Sequence, residues 1–196
     1  MNTGIQSLRI ILAGIAVVLL TWQGPPPGKA PTHKVYVLET PEITSEVQSA
    51  GIAGGKAVAR FDTLGTPQAC LWDVANRKLV SLHPAGLDTS ECRSTTGTKH
   101  VGDGNGAATS GQIHAILWAG DRDHAIDLNP VGCQFSSAYG IGGSQQVGFA
   151  DLEGNEHAVL WTGSARSIID LHPGDRYSNS RASATDGRHQ VGYAFA

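Results

Sequence analysis

Three tryptophans, four histidines and four aspartates are the residues whose types and spacing could support chemistry in this chain. Trp72, Trp118 and Trp161 could stack on sugar rings, as aromatic faces do. His83, His114, His157 and His172 could ligate a metal. Asp62, Asp127, Asp151 and Asp170 could supply the converging carboxylates that glycoside hydrolysis needs. The two loops Asp103-Gly-Asn-Gly106 and Asp151-Leu-Glu-Gly-Asn-Glu156 offer oxygen ligands, but without the regular spacing of a calcium loop.

A repeat decides how these candidates are weighed. Ala69-Cys-Leu-Trp72, His114-Ala-Ile-Leu-Trp118 and His157-Ala-Val-Leu-Trp161 each precede a leucine at constant distance: Leu82, Leu128 and Leu171. Each leucine is followed by His83-Pro84, Asn129-Pro130 or His172-Pro173. A stretch of small residues comes next, and a Val-Gly pair closes the unit at Val101-Gly102, Val147-Gly148 and Val191-Gly192. Side chains placed identically in successive units serve the stacking of those units, so the indoles read as packing. His114 is replaced by Gln68 in the first copy, and matching positions on neighbouring units stand too far apart to share one ion, so the histidines read as hydrogen-bonding framework. Asp127 and Asp170, each before its leucine, read as turn or cap acceptors. No catalytic, cofactor-binding or metal-binding residue is assigned, no cofactor is implied, and the ligand-binding residues are left unknown.

The elements that carry these side chains are strands. Short apolar runs separated by Gly, Asn, Asp and Ser replace any sustained helical spacing. In the third copy four strands are expected: Ser136 to Ile141, Gln145 to Ala150, His157 to Trp161 and Ile168 to Leu171. The connections Asp73 to Lys78, Ala119 to His124 and Thr162 to Ser167 are equal in length, which predicts equal hairpins. The middle copy is longer between Val101 and Trp118, and its extra residues are expected in a surface turn within Gly104 to Gly111. Runs such as Ile116-Leu117-Trp118 are apolar on both faces, so each sheet must be covered on both sides. A period of about 45 residues with four antiparallel strands is the format of a propeller blade. The fold class is therefore all-β: four-stranded antiparallel repeats stacked as a β-propeller-like array, small or incompletely closed. Fifteen strands are counted from Val35 onward, one short of four blades, and uncovered blade faces at the ends would call for a partner or another copy of the chain.

These motifs resemble an extracellular repeat family named for a His-Ala-Phe motif, found in bacterial exported proteins. The resemblance rests on the His-Ala segments ending in Trp118 and Trp161, the pairs Asp127-Leu128 and Asp170-Leu171, and the closures Gln146-Val-Gly148 and Gln190-Val-Gly192. Ile116 and Val159 replace the phenylalanine of the name. The resemblance implies a propeller-like exported repeat and carries over no catalytic residue.

Three regions follow: residues 1–24 as a signal peptide or N-terminal anchor, 25–33 as a Pro-rich linker and 34–196 as the β-repeat domain. Arg9 before the aliphatic run Ile10 to Leu20 has the form of a secretory leader. Gly28 and Ala30 provide small residues for cleavage but Pro31 opposes it, so a cleaved leader and a retained anchor both stay open. Export is expected in either case, to the periplasm, cell surface or exterior, with membrane contact only through an uncleaved leader. The net charge of −3, with dispersed Lys and Arg, argues against a nucleic-acid partner. Of the cysteines, Cys70 reads as buried packing, and a Cys92–Cys133 disulfide is weighed against free thiols. The function expected is a non-enzymatic exported module for protein or glycan interaction, with self-association through the uncovered faces. The alternative is a carbohydrate-active enzyme or lectin using an axial pocket.

Overall fold

The computed structural model describes residues 17–22, 33–38, 47–63 and 65–196. Three four-stranded antiparallel sheets form its body. The first holds β3 (Val47–Ala53), β4 (Lys56–Thr63), β5 (Thr66–Asp73) and β6 (Lys78–Ser81). The second holds β7 (Thr89–Thr95), β8 (His100–Asn105), β9 (His114–Trp118) and β10 (Ala125–Asp127). The third holds β11 (Ser136–Gly142), β12 (Gln145–Leu152), β13 (Asn155–Trp161) and β14 (Ile169–Asp170). Two-stranded sheets flank them: β1 (Val17–Trp22) with β2 (His33–Leu38), and β15 (Asn179–Thr185) with β16 (Gln190–Phe195). The first strands of successive sheets touch one another along one edge of the array, β3 with β7, β7 with β11 and β11 with β15.

The repeat is reproduced strand by strand, and the core lies between sheets. Val58, Ala69, Leu71 and Leu82 of the first sheet enclose Cys92, Ile116 and Trp118 of the second. Val101, Ala115, Leu117 and Leu128 of the second enclose Ala138, Val159 and Trp161 of the third in the same way. Trp118 and Trp161 are fully buried and Trp72 nearly so, which is where a large aromatic contributes most to a core. The Val-Gly pair has a steric cause. β7, β11 and β15 each bulge opposite it. A Cβ on Gly102, Gly148 or Gly192 would fall 1.8, 1.9 or 2.1 Å from the carbonyl oxygen of Glu91, Ser137 or Arg181. At these three bulges the carbonyl approaches so closely that only glycine fits on the facing strand. The first copy, with Ala59 facing Ser49, keeps the bulge without the glycine.

The expected turns are corrected, and the regions left open take the following form. The connections of equal length close hairpins of equal register but not through equal turns: the first is a turn over 74–77 with Arg77 at φ 51°, while the others contain 3₁₀ turns, Arg122–His124 and Ala165–Ser167. The extra residues of the middle copy are not all surface turn. They include a 3₁₀ turn, Ala107–Thr109, anchored by the buried Thr109, whose hydroxyl accepts from Gly106 N at 3.0 Å. All three cysteines are free thiols, Cys70 and Cys92 buried and Cys133 half-buried, so Cys92 and Cys133 are not paired. Burial pushes the Cys70 thiol up to about 12, against a hydrogen bond to Ala59 that lowers it. Val17–Trp22, inside the stretch read as leader, is a strand paired antiparallel with β2. The rest of that leader, and most of the linker, lie outside the described residues, among which no helix is long and apolar enough to cross a membrane. Among the described residues the terminal two-stranded sheets are separate, and no closed ring is shown.

Candidate functional site

The histidines, serines and aspartates form two recurring devices, one at the sheet junctions and one within a sheet. In the first, a buried serine opening each inner strand accepts the N–H of the motif alanine on the sheet before it: Ala69 to Ser90 Oγ at 3.0 Å, Ala115 to Ser136 at 3.0 Å and Ala158 to Ser180 at 2.9 Å. His83 Nδ1 lies 2.7 Å from Ser90 Oγ with Nε2 3.0 Å from the Leu87 carbonyl; His172 repeats this on Ser180 and the Tyr177 carbonyl. A carbonyl can only accept, so Nε2 carries the proton and the serine hydroxyl donates to Nδ1. A serine bonded to a histidine suggests a nucleophile, but here the oxygen is buried and already accepts a backbone N–H. The pair latches one sheet to the next.

In the second device, His114 Nδ1 meets Asp127 Oδ2 at 2.7 Å and His157 Nδ1 meets Asp170 Oδ2 at 2.9 Å. The other oxygen of each carboxylate accepts the N–H two residues on, from Asn129 at 2.7 Å and His172 at 2.8 Å. This is the turn role expected of an Asp before leucine. The first copy substitutes Ser81, whose Oγ accepts from His83 N at 3.2 Å. Among the described residues no three His, Cys, Asp or Glu side chains gather as a metal site would require. The two oxygen-rich loops are also occupied by the protein. Asp103 is bound by Arg93 and Ser137, Asn105 by Thr89 and Glu156 by Arg181, while Glu153 and Gly154 have the positive φ of a tight hairpin turn.

What remains is a polar row that repeat spacing alone does not reveal. It runs along the inner strands across the sheet junctions. Arg60 Nη1 lies 3.7 Å from Glu91 and Nε 3.4 Å from Asp62; Arg93 bonds both Glu91 and Asp103 at 3.0 Å. Ser137 donates to Asp103. The Arg93 guanidinium stands 5.2 Å from the Tyr139 ring centroid. Arg181 donates to Tyr139 Oη at 3.4 Å, lies 4.5 Å over the Phe149 ring and grips Glu156 with two bonds of 2.6 and 2.7 Å. Two carboxylates do converge here, Glu91 and Asp103, but onto the guanidinium of Arg93. Burial opposes the Arg93 charge, yet Asp103 and Glu91 outweigh it and raise its pKa; burial, against Arg181 and Arg93, raises that of the Tyr139 phenol.

The row is where the copies differ. Register places Gln48, Glu91, Ser137 and Arg181 at one inner-strand position, and Ala50, Arg93, Tyr139 and Ser183 are the unpaired bulge residues two places on. The signal available in the sequence was this disagreement between copies that otherwise match at Ala, Leu, Trp and Val-Gly.

No family model matches the chain, and no curated protein matches it. Among solved structures it is similar to the crystal structure of TolB from Acinetobacter baumannii, with a TM-score of 0.53 and 11% identity over 91% of this chain and 48% of that one. The chain thus spans about half the length of that β-propeller-related neighbour, and at this identity the likeness concerns the fold alone.

Proposed function

We propose that the chain is an exported, non-enzymatic repeat module that presents the inner-strand row to a polar partner, a protein or a glycan. One observation carries this reading: the serine latch recurs at three sheet junctions, yet the inner strands that bear it carry Glu91 and Arg93, Ser137 and Tyr139, and Arg181 and Ser183 at the same two positions. Framework positions are fixed by stacking, whereas positions outside it can be set by recognition. Half-exposed arginines paired with carboxylates and tyrosine are the groups that favour a polar partner. Export is supported by the leader form of Arg9 and the following aliphatic run. The alternative, a lectin or carbohydrate-active enzyme using an axial pocket, has no tryptophan platform in Trp72, Trp118 or Trp161, which are buried.

The test compares binding of the purified chain to a printed glycan array and to envelope proteins of the producing cells, before and after substitution. Arg93→Ala with Tyr139→Ala should abolish the strongest binding, and Asp127→Asn with Asp170→Asn should leave it in place. Binding indifferent to the row, or cleavage of a glycan on the array, would overturn the reading.

A further inference from the structure

The junction between the second and third sheets departs from its neighbours in two ways, and both meet in one cleft. The extra residues of the middle copy form a pinned wall: the Thr109 hydroxyl accepts from Gly106 N at 3.0 Å and donates to the Gln112 carbonyl at 2.6 Å. Thr109 and Gln112 line an open cleft of about 590 Å³ together with His114 and the loop 129–134. That loop also carries a substitution in the latch. Where His83 and His172 span from the serine hydroxyl to a carbonyl, the middle copy has Asn129. Its Nδ2 keeps the carbonyl bond, donating to Cys133 O at 2.9 Å. A carboxamide is shorter than an imidazole, and Oδ1 does not meet Ser136, whose side chain bonds only the Ala115 N–H. Among the described residues Asn129 Oδ1 is therefore buried without a donor, which is costly unless something supplies one.

His114 adds a second acceptor. Asp127 accepts from His114 Nδ1 with Oδ2 and from Asn129 N with Oδ1, each at 2.7 Å, so one carboxylate orients both residues. With the proton on Nδ1, Nε2 of the neutral ring can only accept, and it bonds nothing among the described residues. The other copies do not repeat this pair: His157 stacks on His172 with ring centroids 4.1 Å apart, and the first copy has Gln68 there. Charge then selects the ligand. No Lys, Arg, Asp or Glu lines the cleft, so nothing in its wall holds a phosphate, a carboxylate or an ammonium group, while the fully exposed Val131 adds an apolar side. Two acceptors held by one carboxylate call for two donors on one edge of the ligand. Adjacent hydroxyls of a sugar ring supply them and its C–H face suits Val131, whereas successive N–H groups of an extended peptide point to opposite sides. We propose that this cleft binds a neutral saccharide, with adjacent hydroxyls donating to Asn129 Oδ1 and His114 Nε2. The site shares no residue with the inner-strand row and does not rest on the reading of that row.

Cys133 is a built-in reporter, since it lines the cleft and is half-buried while Cys70 and Cys92 are buried. Its rate of labelling by a maleimide is measured on the full native chain with glucose, galactose, mannose, N-acetylglucosamine and their β-linked disaccharides, and with trialanine amide as the competing class. A bound sugar at about ten times its dissociation constant should slow labelling about tenfold. Asn129→His, which installs the residue of the first and third copies, should abolish that protection. No slowing by any of these sugars would assign the cleft to water alone and overturn the proposal, as would slowing by the peptide in their place or protection that survives Asn129→His. Chemical shifts of the unmodified chain test the site without any substitution: titration with the protecting sugar should move the resonances of Gln112, His114 and Cys133, and shifts confined to other sheets refute it.

Discussion

The junction between the second and third sheets and the junction between the third sheet and β15–β16 are built from the same residues on one side and differ on the other. Val101, Ala115, Leu117 and Leu128 correspond to Val147, Ala158, Leu160 and Leu171, but only the first set receives an aliphatic side chain and an indole. The difference teaches that stability in this array resides in the third strand of the following sheet: the inner hairpin alone brings the serine latch and one small side chain.

That contrast can be broken in order of effect. Trp118→Ala should cost about 3 to 5 kcal/mol, as for a buried aromatic truncated in a core, measured by urea denaturation; a loss below about 1 kcal/mol would remove the indole from its structural role. Ser136→Ala should cost about 1 to 3 kcal/mol, since it strands the buried Ala115 N–H without an acceptor, and the amide exchange rate of Ala115 reports this directly. Mild acid should act more gently, through His100. Its burial, against a hydrogen bond to the Gly120 backbone that raises the pKa, holds it below the ordinary histidine value. A folded-state pKa lower than the unfolded one stabilises fully above the unfolded value near 6.5 and is lost as pH falls through the folded value. Thermal midpoints should therefore drop below about pH 6.5, and His100→Gln, which installs the residue found at Gln146, should flatten that part of the profile.

Much of the fold was legible because the determinants are local and repeated. The four strands expected in the third copy fall within one or two residues of β11 to β14, and the burial of Trp118, Trp161 and Cys70 follows from their recurrence on two-sided apolar runs. The parts that escaped are long-range or conformational. Ser90, Ser136 and Ser180 stand out only as small residues until the preceding sheet brings an alanine N–H to them. The chain from Arg60 through Glu91 and Arg93 to Tyr139 and Arg181 joins four sheets that no spacing rule connects. Equal loop length concealed two turn types: Asp73 accepts the N–H groups of Ala75 and Asn76 in a turn that ends at the left-handed Arg77, whereas Asp121 caps a 3₁₀ turn through Asp123 and His124.

The pockets for the indoles have a direction. Trp118 is sheltered by residues of the sheet that precedes it in the chain, and Trp161 likewise. In both cases the wall is encoded earlier in the chain than the ring it receives, whereas Trp72 packs on Ala57 and Leu79 of its own sheet. Loss of the third sheet would leave Trp118 and its wall in place, whereas loss of the first sheet would take away the wall of Trp118.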